Sequence, residues 1–106
     1  MYIYNITTNV DPSIHEEWLD WMKETHIPDM LSTGCFYKSL MTEVMVKEEM
    51  GGITYSVQFT SKSKENLQKY LHNNDQEMQG KMKKLFGNKF GTFTTVMKIV
   101  REMKSS

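Results

Sequence analysis

Residues 36–60 read FYKSLMTEVMVKEEMGGITYSVQFT, and the fold turns on how this stretch divides. Ile53, Tyr55, Val57 and Phe59 alternate with Thr54, Ser56, Gln58 and Thr60, the period-two pattern of a strand with one buried face. Before it, Lys47 to Gly52 is turn-like and ends in Gly51-Gly52. Phe36 to Val46 separates in the same way, with Phe36, Leu40, Val44 and Val46 on one face and Tyr37, Ser39, Met41, Glu43 and Met45 on the other. Two strands joined by a short turn predict an antiparallel hairpin at the centre of the chain.

Upstream, Tyr2, Tyr4, Ile6 and Val10 alternate with Asn5, Thr7 and Asn9, which predicts a first strand. Asp11-Pro12-Ser13 is a helix-start signal: Asp or Ser accepts from free N–H groups, and Pro12 fits the first turn, where its missing donor is harmless. Ile14, Trp18, Trp21, Met22 and Thr25 then form the apolar face of a helix. Pro28 disfavours helix at Ile27, so the spacing predicts a break near His26 and a short second turn closed by Gly34. Downstream, Ser61 or Ser63 caps a helix whose apolar face runs from Leu67 to Phe86 and stops at Gly87, with a bend at Asn73-Asn74-Asp75. Phe93, Met97 and Ile99 alternate with Thr92, Thr94, Val96, Lys98 and Val100 in a last strand.

Strand, helix, hairpin, helix, strand closes most economically as a ferredoxin-like βαββαβ domain of the α+β class. It predicts a four-stranded antiparallel sheet with two helices on one face, because both crossovers are right-handed. The domain spans 1–103 and leaves 104–106 frayed. With the apolar side of each strand set against the helices, the open face carries Asn5, Thr7, Asn9, Ser39, Glu43, Thr54, Ser56, Gln58, Thr92 and Thr94. Ile3, Tyr37, Met41, Met45, Val96 and Val100 share it, a mixture that suits cover by a second subunit. Met41→Asp or Val96→Asp is therefore expected to split a homodimer.

The chain has 106 residues, 39% hydrophobic and 25% charged, ordinary values for one globular domain. Thirteen basic and thirteen acidic side chains cancel, leaving no net field to attract nucleic acid or an anionic membrane. The charges are nevertheless segregated: residues 62–89 hold seven lysines against three acids, and 11–31 hold six acids against Lys23. Pairing of the two helical segments side by side is expected, which would mask the lysines. Cys35 is the only cysteine, so no disulfide forms within one chain, and the start of the chain shows no secretory pattern. No apolar run is long enough to span a bilayer. A cytoplasmic protein without nucleic-acid or membrane partners is expected.

The opening strand running into Asn9-Val10-Asp11-Pro12, the Trp18-x-x-Trp21-Met22 face, His26-Ile27-Pro28 and the Met50-Gly51-Gly52-Ile53-Thr54-Tyr55-Ser56 hairpin together resemble a small bacterial family known only as a domain of unknown function. The resemblance implies membership of the dimeric α+β barrel superfamily, in which two ferredoxin-like subunits bury their open sheet faces against each other. Relatives there include antibiotic-biosynthesis-type monooxygenases, muconolactone isomerase-like enzymes and haem-degrading proteins, and no catalytic motif of theirs carries over to these residues.

His15 and His26 lie on one side of the first helix, but eleven residues of helix separate them by roughly 16 Å, too far to share a metal ion. No metal site and no cofactor are expected. An RNA-recognition reading of the fold lacks outward aromatics on the third strand, and an acylphosphatase-like reading lacks an arginine after strand one. His26, at the expected helix break, reads in two ways. As a helix-end residue it bonds terminal carbonyls and has a raised pKa; as a pocket residue it is a general base. The sequence thus predicts a dimeric module binding a small organic ligand, in a pocket rimmed by Asn9, His26 and Tyr55 and floored by Trp18 or Met22. The alternatives are a cofactor-independent oxygenase- or isomerase-like enzyme using His26, and a structural or protein-interaction module.

Overall fold

In the computed structural model, which describes residues 1–45 and 51–105, nine-residue β1 (Tyr2–Val10) leads through a 3-10 turn (Pro12–Ile14) into α1 (His15–Trp21). A five-residue π turn (Met22–His26) joins α1 to α2 (Ile27–Ser32), followed by β2 (Lys38–Glu43) and β3 (Ile53–Ser61). Then come α3 (Lys64–Asn73), α4 (Asp75–Phe86) and β4 (Phe90–Lys98). The four strands are ordered β2-β3-β1-β4, and every neighbouring pair is antiparallel. This is the ferredoxin-like arrangement the hairpin implied.

The helices cover one face. Tyr4, Ile6, Val10, Tyr55, Val57 and Phe59 of the central strands join Trp18, Met22 and Met30 of the first helical segment and Leu67, Tyr70, Met78, Met82 and Phe86 of the second in one buried cluster. Burial of each large side chain among them stabilises the fold by roughly 1.5–3 kcal/mol. Asp11 accepts from the Ser13 N–H at 2.9 Å where β1 ends, and the Ser63 hydroxyl accepts from the Asn66 N–H at 3.1 Å where α3 begins. The expected bend falls at Asn74, between α3 and α4, and Gly87 closes α4 at φ +62°. Tyr4 fastens the sheet to that bend, donating from its hydroxyl to Asp75 Oδ1 at 2.7 Å.

Four expectations are corrected. The first helix does not break at His26; it widens. The Ile27 N–H donates to the Met22 carbonyl, one residue further back than in an α-helix, and helix continues to Ser32. A wider turn gives room to the Pro28 ring, which in a regular helix would strike the carbonyl four residues before it.

The second and third corrections concern the edge strands, both of which face opposite to expectation. Ser39, Met41 and Glu43 stand across from Phe59, Val57 and Tyr55, which places them on the helix side and puts Leu40 on the open face. Met41 packs against the core, whereas Leu40 is 59% exposed. The chain bends at Tyr37 before entering the ladder at Lys38, so the phase of buried Phe36 does not carry into the strand. Likewise Val96 stands opposite Tyr4 on the helix side, while Phe93 and Met97 stand opposite Thr7 and Ile3 on the open face. Thr92 and Thr94 therefore leave the open face, as do Ser39 and Glu43. Met41 and Val96 are not positions at which a charge would enter the open face. Val46 and the turn residues 47–50 lie outside the described residues.

Fourth, the opposite charges of the two helical segments do not pair. Among the described residues the ion pair is Lys81–Glu77 at 3.9 Å, within α4 itself.

Candidate functional site

The expected pocket residues are divided by the sheet. Trp18 and Met22, one helical turn apart, are buried in the core on the helix side, where Tyr55 of β3 meets Trp18 with ring centroids 5.2 Å apart. Asn9 belongs to the opposite, open face, where it stands across from Thr54 and donates from Nδ2 to Thr54 Oγ1 at 3.0 Å. The structure thus brings Trp18, Met22 and Tyr55 together but not Asn9.

His26 lies within the π turn, 3% exposed, stacked on Trp21 at 4.6 Å between ring centroids. Burial pushes its pKa down to about 4; Asp29 opposes the shift in part, and Lys81 adds to it. The helix-end reading, with its raised pKa, is therefore corrected: the helix continues past His26, and the terminal carbonyls it was to bond are not there. Its Nδ1 is buried without a hydrogen-bond partner among the described residues, as is Trp18 Nε1. Neither cleft described below is lined by His26.

The residue that sequence reasoning weighed only as a metal ligand, and set aside, is His15. Its Nε2 lies 2.5 Å from the Tyr55 hydroxyl, and the two rings stack at 5.7 Å. Burial, with a smaller effect from the carboxylate of Glu43 across the ladder, raises the Tyr55 pKa and holds the phenol protonated. The phenol and Nε2 are thus each other's hydrogen-bond partners. The available signal was phase: His15 precedes Trp18 by three positions and so shares its face.

The open face is built differently. Its described strand positions are the odd residues of β1 and β4 and the even residues of β2 and β3, and Lys38 is the only charged side chain among them. Down its centre the polar groups satisfy one another: Ser56 Oγ donates to Asn5 Oδ1 at 2.6 Å, and Asn5 Nδ2 donates to Thr7 Oγ1 at 3.1 Å. On either side stand Leu40 and, 64% exposed, Phe93.

At one end of this face, where β1 runs out and β3 and β4 begin, a cleft of about 500 Å³ surrounds Asn9. Glycines make the room. Gly91 stands opposite Asn9 in the ladder, and a Cβ on it would meet nothing within 4 Å. A Cβ on Gly52 would instead lie 2.6 Å from Asn9 Oδ1, so the Asn9 carboxamide fills the place of a side chain there. Asp11, Asn88 and Lys89 form the rim. Sequence reasoning singled out Asn9 but not its surroundings, for which Gly51-Gly52 and Gly91 were the signal. A smaller groove of about 310 Å³ lies at the other end, between Ile3, Leu40 and Ile99.

Strand order and the single helical layer define a ferredoxin-like α+β protein. The chain belongs to the family described as Domain of unknown function (DUF4286), which matches residues 1–100. Among solved structures, a dimeric ferredoxin-like protein from an uncultured marine organism is similar at a TM-score of 0.75 and 13% identity, over 96% of this chain and 97% of that one. A second protein so described, also from an uncultured marine organism, has a TM-score of 0.66 and 19% identity over 99% and 100% of the two chains. An ethyl tert-butyl ether d (ethd) family protein from Bacillus halodurans C-125 gives 0.66 and 17% over 94% and 100%. These likenesses are of fold. No curated protein matches the chain at a significant level. None of the described helices is long and apolar enough to cross a membrane.

Proposed function

We propose that the protein is a homodimer, closed by its open sheet faces, that binds a small organic molecule. The observation that carries this reading is the open face itself, with Leu40 and Phe93 standing out from a sheet surface whose described strand positions carry one charge, Lys38. A two-fold interface sets one patch against its own copy, so a charged patch would repel itself and a neutral one does not. The central polar row is in part bonded internally, which lowers the cost of covering it. The description of two similar marine proteins as dimeric supports the same assembly. For the ligand, the support is the cleft at Asn9, whose size of about 500 Å³ falls within the roughly 300–1,000 Å³ common for small-molecule sites.

A cytoplasmic location belongs to this reading, as does the lack of nucleic-acid or membrane partners, which the zero net charge supports. The alternative of a cofactor-independent oxygenase- or isomerase-like enzyme has one observation in its favour: the His26 imidazole is held neutral, as a general base must be.

Light scattering at micromolar concentration should report about twice the 12.5 kDa chain mass. Leu40→Asp or Phe93→Asp should return the mass to that of one chain, while Val96→Asp, on the helix side, should leave the dimer intact. Native mass spectrometry of protein from untreated cells should show a co-purified small molecule. A monomeric wild type would end the dimer reading.

A further inference from the structure

The rim of the Asn9 cleft carries one anion and one cation that feel each other's charge but form no direct ion pair among the described residues. Asp11 and Lys89 are joined through the backbone, the Asp11 N–H donating to the Lys89 carbonyl at 2.9 Å. Their side chains form no ion pair among the described residues. Both Ser13 donors, its N–H at 2.9 Å and its hydroxyl at 2.7 Å, end on Asp11 Oδ1, which leaves Oδ2 without a hydrogen bond among the described residues. The same two bonds, with a smaller effect from the Lys89 charge, hold the Asp11 carboxyl below the usual carboxylate range, so it is ionised at neutral pH. Within the cleft the carboxamides of Asn9 and Asn88 add donors and acceptors.

A ligand with one charge would meet a partner on one side of this rim and a like charge on the other. A ligand with both charges meets a partner twice. We propose that the cleft binds a small zwitterion of the amino-acid class with a polar side chain. Its carboxylate lies against the Lys89 ammonium, its ammonium against Asp11, and its side chain against the carboxamides of Asn9 and Asn88. Gly91 leaves open the space the ligand needs, and Gly52 leaves room for the Asn9 carboxamide that the ligand meets. This inference rests on the small-molecule reading above.

The test is a titration of nitrogen-15-labelled protein, followed by amide NMR, with three probes: L-glutamine; glutaramate, which lacks the amine; and 4-aminobutanamide, which lacks the carboxylate. L-glutamine should shift the Gly52 and Gly91 amides and the Asn9 side-chain amide, and each singly charged probe should bind about tenfold more weakly or worse. Asp11→Asn and Lys89→Gln should each weaken L-glutamine binding about tenfold. Gly91→Leu, at a position where an added Cβ meets nothing within 4 Å, should abolish it while leaving the protein folded, with amide shifts away from the cleft unchanged. The proposal is overturned if L-glutamine produces no shifts at millimolar concentration, if the three probes bind equally, or if Gly91→Leu still binds. The same samples are weighed by native mass spectrometry: a co-purified molecule of another class overturns the zwitterion alone, whereas no bound molecule and no shifts overturn the small-molecule reading with it.

Discussion

Acidification from pH 7 to pH 4 should remove about 3 kcal/mol of folding stability through His26 alone. In the fold the imidazole is sealed beneath Trp21, and its pKa falls from 6.5 to about 4. Each unit is about 1.4 kcal/mol, and the difference of the two values gives the magnitude. The direction follows from proton binding. Between pH 6.5 and 4 the unfolded chain takes up a proton that the folded one refuses, so acid favours unfolding. Stability from this source is complete above pH 6.5, declines through the interval, and levels off once both states are protonated. His26→Phe is the reference protein, because it keeps a ring against Trp21 and removes the titration. Urea midpoints across the pH range for both proteins give the effect as a difference, in which carboxylates common to the two cancel. Parallel curves would refute the reasoning, as they would show that water or a partner reaches the ring and that His26 is not desolvated.

Tyr4→Phe should destabilise the fold by about 1.5–3 kcal/mol in urea, because it removes the phenol that donates to Asp75 and leaves a carboxylate short of a partner at the α3–α4 bend. A change below about 0.5 kcal/mol would mean that water replaces the bond at no loss. Gly52→Ala should cost about 1–3 kcal/mol, since the new Cβ would meet Asn9 Oδ1 at 2.6 Å and the backbone sits at φ +88°. The double variant Asn9→Ala/Gly52→Ala should recover the steric part and retain the backbone strain. Strict additivity of the two changes would show that Asn9 does not fill that space.

Much of the architecture was legible because it depends on local chemistry. The alternation in β1 and β3 held since these central strands have one face pressed on the core, where an apolar side chain has a single favourable direction. Ser63, the Asn74 bend and Gly87 mark helix ends through bonds and φ angles that involve only their neighbours. The candidate site was less legible. His15 and Tyr55 are forty positions apart, and the cleft around Asn9 is assembled from the ends of three strands that meet only in the folded sheet.

The sequence by itself determined the order of elements, their capping and the side on which the central strands bury their apolar residues. Only the tertiary structure decided which way the edge strands face. β4 is exposed along most of its length and the side chains of β2 are half-buried or exposed, so neither is oriented by the core. Their phase is imposed by hydrogen-bond register with β1 and β3, and register turned Leu40, Phe93 and Met97 outward to make the neutral apolar margins of the open face. The fate of His26 was decided in the same way. Pro28 announced a disturbance in the helix, but whether the chain broke or widened depended on the core beneath, which buries Met22 at the start of the π turn and Met30 beyond its end, while Trp21 covers the imidazole.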